Sequence, residues 1–279
     1  MTSPPALDSG TKACPPPVER RAPSPAPGHD RGPGAAVILV YNLLYWPYLL
    51  LSSAVLFWPA LAIFLVTFRG DRRLLRLHRF TSAWGGHYLA RAPFAGVVVE
   101  GRENVPEGPA YVFVSNHQSM VDILAVFATG LDYKWVSKVE NFYAPFIGWT
   151  MVLNRYIPLK RGHLPSILRM FRRCEAALAA GSSVFVFPEG TRSPDGNLQR
   201  FFRGAFVLSA RNRAPIVPVV IDGTAEILGK GSARIVPRPV RVRVLPPVDP
   251  ASVDFDDRRL RAVVHAQMEA ELTAMRARG

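Results

Sequence analysis

The feature that most constrains this chain is a run from Gly32 to Phe68, roughly 37 residues, without one charged side chain. As a single helix it would measure about 55 Å, against a bilayer hydrocarbon core of about 30 Å. It is too long for the apolar core of a signal peptide and starts too late in the chain. Core helices of soluble proteins rarely hold more than about 18 uncharged residues in a row. The segment therefore belongs in lipid, either as one long helix with interfacial ends or as two shorter helices broken at Pro47 and Pro59. Tyr41, Tyr45, Trp46, Tyr48 and Trp58 suit interfacial depth. Arg69, Arg72, Arg73, Arg76 and Arg79 follow at once and mark the cytoplasmic side by the positive-inside rule. They also suit a basic amphipathic helix with Leu74, Leu75, Leu77 and Phe80 on its other face.

Three regions follow from the composition along the chain. Residues 1–34 are rich in Pro, Ala, Ser and Gly and bury too little apolar surface to offset the entropy of ordering, so a disordered tail is expected. Residues 35–92 hold the hydrophobic segment and the basic helix, and residues 93–279 alternate strand and helix patterns. Strands are expected at Val97 to Glu100, Tyr111 to Ser115, Trp135 to Val136, Tyr156 to Leu159, Ser183 to Phe187, Ile216 to Ile221 and Val240 to Leu245. Between them, Asp122 to Thr129, Ser166 to Ala180 and Arg203 to Arg213 read as helices, and Val253 to Arg278 closes with an amphipathic one. The helix over Ser166 to Ala180 is the clearest, with Ile167, Met170, Phe171, Cys174 and Leu178 at helical spacing and Gly181 as its stop. This order predicts an α/β fold: a mostly parallel central sheet with flanking helices, preceded by an N-terminal membrane-embedded helical segment.

Charge and cysteine usage narrow the function classes. The formal net charge of +13 favours anionic partners. The arginines are scattered, with no RNA-binding aromatic signature or DNA-reading helix, so nucleic acid is not the expected one. Cys14 and Cys174 make no metal-binding spacing and no disulfide framework, which fits a reducing, cytoplasmic setting.

Two short motifs carry chemistry. Asn116-His117-Gln118-Ser119-Met120-Val121-Asp122 follows an expected strand, at the carboxyl edge where α/β sheets bind ligands. His117 and Asp122 can meet across such a strand-to-helix turn; a carboxylate on one ring nitrogen sets the tautomer and makes the other nitrogen a general base. By itself His-x4-Asp is common enough to be structural. Phe187-Pro188-Glu189-Gly190-Thr191-Arg192-Ser193 also follows a strand. Gly190 permits a tight turn, Arg192 offers a planar fork for phosphate, Thr191 a hydroxyl, and Glu189 a carboxylate to position Arg192 or a substrate hydroxyl.

The two motifs together, about 70 residues apart, resemble the glycerolipid acyltransferase superfamily and its 1-acylglycerol-3-phosphate (lysophosphatidic acid) acyltransferases. Lys138, Gly148 and Tyr156-Ile157-Pro158-Leu159-Lys160-Arg161-Gly162 are similar to the family's second block, except that Lys160 replaces an aspartate and Asn154 stands where glycine is common. Pro215-Ile216-Val217-Pro218-Val219-Val220 is similar to the fourth block. The resemblance implies acyl transfer from acyl-carrier protein (ACP) or acyl-CoA to the sn-2 hydroxyl of lysophosphatidic acid, giving phosphatidic acid in phospholipid biosynthesis. His117 would be the base and Asp122 its orienting partner. Glu189, Gly190, Thr191 and Arg192 would bind the glycerol phosphate, Arg161 would assist, and Lys138 would contact an oxyanion or phosphate. No cofactor or metal is implied beyond the thioester cosubstrate, and membrane lipids are the expected surroundings, at a bacterial-type inner or cell membrane with the catalytic residues on the cytoplasmic face.

Two other readings remain open on these residues. One is an O-acyltransferase with a lyso-ornithine lipid or another lysolipid as acceptor; the other is a non-catalytic, membrane-anchored protein that binds anionic lipid. No Gly-x-Ser-x-Gly occurs, against an α/β-hydrolase, and the Gly-Lys-Gly within Gly223 to Gly231 fails the phosphate-loop spacing. His29, His78, His87, His163 and His265 have no partner pattern and are expected to be structural or at the surface.

Overall fold

The structure, a computed structural model, describes residues 34–90, 96–229, 231–236 and 238–278. The tail expected over 1–34 lies outside the described residues except for Gly34, as do Cys14 and His29.

The uncharged run forms one continuous helix, α1 (Ala35–Thr67), that passes through Pro47 and Pro59. Each proline removes one N–H from the helical ladder, yet neither breaks the helix. What decides between one helix and two is packing against the rest of the chain. The side-chain amide of Asn42 donates to the Ile235 carbonyl at 3.0 Å and accepts from the Ile235 N–H at 2.9 Å. Trp46 Nε1 donates to the Ala233 carbonyl at 3.1 Å. About three to four turns further on, Phe57 meets Phe146 and Trp149, and Ala60 is buried beside Leu74 and Leu77. The opposite side of α1 stays bare: Leu44, Leu51 and Val55 are 67%, 69% and 67% exposed. The turn after α1 leads into α2 (Leu75–Ala90), the expected basic helix, with Leu77 inside and Arg76 and Arg79 outside.

The remainder is a seven-stranded sheet made of β1 (Val97–Glu100), β2 (Val112–Ser115), β3 (Lys134–Lys138), β4 (Ile157–Leu159), β5 (Val184–Val186), β6 (Ile216–Asp222) and β7 (Val240–Val244). Its spatial order is β1-β7-β6-β2-β5-β3-β4. Strands β6, β2, β5, β3 and β4 run parallel to one another, so their carboxyl ends share one edge. β7 is antiparallel to β6, and β1 is parallel to β7, so these two strands run the other way. The sheet is thus mostly parallel, as expected, with a reversed pair on one flank.

Helices cover both faces, and alternation along the strands assigns each face. Tyr111, Phe113, Phe185, Val217, Val219 and Ile221 turn to the side of α1, α2 and α3 (Val121–Ala128). Val112, Val114, Val184, Ile216 and Val220 turn to α5 (Leu164–Ala179), α6 (Gly204–Asn212) and α8 (Asp257–Ala277). α8 buries Leu260, Val264, Met268, Leu272 and Met275 as one stripe, and the Asp256 carboxylate caps its first turn by accepting from the N–H groups of Arg258 and Arg259. Two further α-helices among the described residues are short, α4 (Ile147–Leu153) and α7 (Thr224–Ile227).

Candidate active site

The site forms where β2 and β5 end, on the shared carboxyl edge. β2 runs out at Ser115, and Asn116 fastens the next turn to β6: its amide nitrogen donates to the Ile221 carbonyl at 2.7 Å and its oxygen accepts from the Ile221 N–H at 2.8 Å. Asp122 lies in the first turn of α3, where free N–H groups favour a carboxylate. Its Oδ2 accepts from the N–H groups of Gln118 at 2.6 Å and Ser119 at 2.8 Å. The same oxygen lies 2.7 Å from His117 Nδ1. Asp122 has no exposure and His117 has 8%. An ionised carboxylate can only accept, so the Nδ1 proton points to Asp122 and Nε2 is left with a lone pair. The imidazole also stacks on Phe187 at 4.1 Å between centroids and 15° between planes, which fixes its tilt.

The second motif wraps against the first. The Ser193 N–H donates to the His117 carbonyl at 2.7 Å, and Gln118 Nε2 donates to the Gly196 carbonyl at 2.9 Å. Gly190 has φ +70°, a conformation that favours glycine, and a Cβ there would come within 2.7 Å of the exposed Phe202 ring, which would have to move. Thr191 is exposed and Arg192 half-buried beyond it.

Glu189 points inward, at 3% exposure. Its Oε1 accepts from the His117 N–H at 3.2 Å, while Oε2 is buried without a hydrogen-bond partner. Burial pushes its carboxyl up to about 7; the His117 N–H and the Gln199 backbone and side chain oppose the rise, and the Asp122 charge adds to it. Below the ordinary value of 4.5 the group is neutral in folded and unfolded chains alike. Between there and about 7 only the unfolded chain ionises, so stability falls as pH rises through that window and is level above it. Glu189→Gln removes this dependence. Denaturant titrations at pH 5 and pH 8 should show the variant gaining about 2–3 kcal/mol on the parent between the two. An unchanged gap would mean that Glu189 ionises as freely folded as unfolded.

Lys138 and Arg161 end up on the same edge of the sheet, at and just beyond the ends of β3 and β4, and both are exposed. Lys138 lies 3.3 Å from Glu140, and neither cation enters the hydrogen-bonded cluster around His117. The other described histidines make local contacts. His78 is buried between the Tyr156 hydroxyl and the Leu131 carbonyl, and burial holds its ring down to about 4. His163 caps α5 by accepting from the Ser166 N–H. Asn154 is fully buried; its backbone carbonyl accepts from the buried Lys134 ammonium at 2.9 Å.

Comparison with known proteins places this site in a family. A model of the acyltransferase family matches residues 96–222, a span that holds both motifs, Lys138 and Arg161. A chloroplastic 1-acyl-sn-glycerol-3-phosphate acyltransferase from Brassica napus is 38% identical over 66% of this chain and 54% of its own. The 1-acyl-sn-glycerol-3-phosphate acyltransferase of Pseudomonas aeruginosa is 32% identical over 62% of this chain and 67% of its own. The chain belongs to this acyltransferase family. Among solved structures, the 1-acyl-sn-glycerophosphate (LPA) acyltransferase PlsC from Thermotoga maritima superimposes with a TM-score of 0.73 at 27% identity, covering 87% of this chain and 99% of that one. The match to that family member extends well past the motifs, to most of the sheet and helices. The chain spans about half the length of the plant relatives it matches.

Proposed function

We propose that this protein transfers a fatty acyl group from an acyl-ACP or acyl-CoA thioester to the free hydroxyl of 1-acyl-glycerol 3-phosphate, giving phosphatidic acid. The observation that carries the reading is the buried His117–Asp122 pair, 2.7 Å apart with Nε2 left open, in a chain whose relatives are named for that reaction. His117 Nε2 takes the hydroxyl proton as the oxygen bonds to the thioester carbonyl carbon. The tetrahedral intermediate then collapses, the carbon–sulfur bond breaks, and the proton passes to the leaving thiolate. Asp122 stabilises the imidazolium between the two steps. The Gly190-Thr191-Arg192 turn takes the acceptor phosphate, since Arg192 supplies charge and a fork geometry and Thr191 a hydroxyl. Glu189 braces the His117 turn and leaves Oε2 to the acceptor; Arg161 and Lys138 supply further positive charge along the same edge. The bare side of α1 sits in lipid, on the cytoplasmic face of the membrane, so that the acceptor reaches the site from the bilayer.

The test is acyl transfer in vesicles, from acyl-CoA and from acyl-ACP, to lysophosphatidic acid and, in parallel, to lyso-ornithine lipid. Formation of phosphatidic acid is expected. Transfer to lyso-ornithine lipid alone would keep the chemistry and change the acceptor, and transfer to neither would overturn the reading.

A further inference from the structure

We infer that Thr224 is a positioning residue for the His117–Asp122 pair, holding the carboxylate from the side that the histidine does not touch. Asp122 has no exposure, so each carboxylate oxygen needs donors. Oδ2 has three: His117 Nδ1, the Gln118 N–H and the Ser119 N–H. Oδ1 accepts from one group among the described residues, the Thr224 hydroxyl. Thr224 is fully buried and stands 102 positions further along the chain, two residues beyond the stretch that the family model matches.

The fold delivers that hydroxyl by a specific route. β6 is tied to Asn116 through Ile221, at the base of the His117 turn. Gly223 then turns the chain at φ +91°, where a Cβ would strike the Pro239 carbonyl oxygen at 2.3 Å. Thr224 follows as the first residue of α7. Its hydroxyl also lies 3.3 Å from Gln118 Oε1. One hydroxyl proton serves one strong acceptor, and the charged carboxylate is the better of the two. The ends of three strands therefore converge around the carboxylate: β2 leads to His117, Gln118 and Ser119, β5 leads into the loop that holds the Gln118 side chain, and β6 leads to Thr224. Without the hydroxyl, Oδ1 is left buried without a donor while Oδ2 keeps its three, so the carboxylate is held from one side only and its plane can tilt against Nδ1.

The kinetic arm of the test rests on the acyl-transfer reading; a spectroscopic arm does not. In the first arm, Thr224→Val should lower kcat by roughly 10- to 100-fold, the scale seen when the groups that orient a metal-bound histidine are removed. KM for acceptor and donor should stay unchanged, and Thr224→Ser should restore most of the rate. On a His117→Ala background Thr224→Val should cost nothing further, because its effect passes through the imidazole. In the second arm, the proton between His117 Nδ1 and Asp122 is followed by NMR in 15N-histidine-labelled protein, assigned by its loss in His117→Ala. Its resonance should move or broaden in Thr224→Val and return in Thr224→Ser. Should the valine variant not fold, Thr224→Ala removes the hydroxyl without adding bulk and reads both arms. An unmoved resonance, a raised KM at unchanged kcat, a failed serine rescue, or a full further loss on the His117→Ala background would each overturn the inference. If the parent protein transfers no acyl group, the NMR arm still decides the role of Thr224, while the functional reading fails separately.

Discussion

His117→Ala should lower kcat by about a thousandfold or more while leaving KM for both substrates nearly unchanged. In the proposed reaction the base acts only as the acceptor oxygen gains its bond to the carbonyl carbon, so its loss would remove stabilisation that exists in the transition state alone. Asp122→Asn is the sharper half of the experiment. An asparagine can place its oxygen where Oδ2 now accepts from His117, Gln118 and Ser119, and turn its amide toward the Thr224 oxygen. Geometry is then kept and charge is lost, so the fall in kcat, about 10²–10⁴-fold, measures what the carboxylate does for the imidazolium. The double variant should be no slower than His117→Ala alone, because the pair acts as one unit. Initial rates at saturating donor and acceptor, with thermal melts to verify folding, read all three. Activity within a few-fold of the parent in His117→Ala would remove the base from the mechanism.

That pair was legible in the sequence because its parts are local. A strand of apolar residues, a turn and a helix start are each written within a few positions, and His-x4-Asp spans them. The same holds for α5, whose buried face follows the spacing of Cys174 and Leu178, and for the strands whose residues alternate or run apolar. What could not be read depends on distant partners. α4 has seven residues, too few for a periodic pattern, and is held by Trp149 against Phe57 of α1. The direction of β7 follows from its pairing with β6 and β1, which no linear pattern encodes. Pro47 and Pro59 left one helix or two open, and the contacts of Asn42, Trp46, Phe57 and Ala60 with the rest of the chain favour one. In the site, the motif residues Glu189 and Lys138 were visible, but not that Glu189 turns inward to the His117 backbone or that Lys138 pairs with Glu140. Thr224 gave no signal at all: a threonine after a glycine is an ordinary helix start, and its contact with Asp122 exists only once β6 lies beside β2.

The bare face of α1 carries the second large effect. Leu44, Leu51 and Val55 lie seven and four residues apart, on one side of the helix, and none is buried by the protein. Replacing all three with aspartate therefore leaves the packing with α2 and α4 untouched, since those contacts come from the opposite side through Phe57 and Ala60. In lipid, each aspartate near the centre of an apolar helix costs about 3 kcal/mol, and three shift the partition by more than about a thousandfold. The triple variant should leave the membrane fraction on flotation with anionic vesicles, with its melting temperature in detergent close to the parent's. Turnover of a long-chain acceptor in vesicles should collapse with it, because enzyme and acceptor no longer share a surface. Turnover of a short-chain, water-soluble acceptor should survive, because His117, Asp122 and the Gly190 turn are unchanged. A variant that still floats would show that α1 is not what holds the protein to lipid, and the arginines from Arg69 to Arg79 would become the next residues to reverse. A variant that leaves the membrane but loses both activities would mean that α1 also shapes the site, through the contacts of Asn42 and Trp46 with the segment after α7.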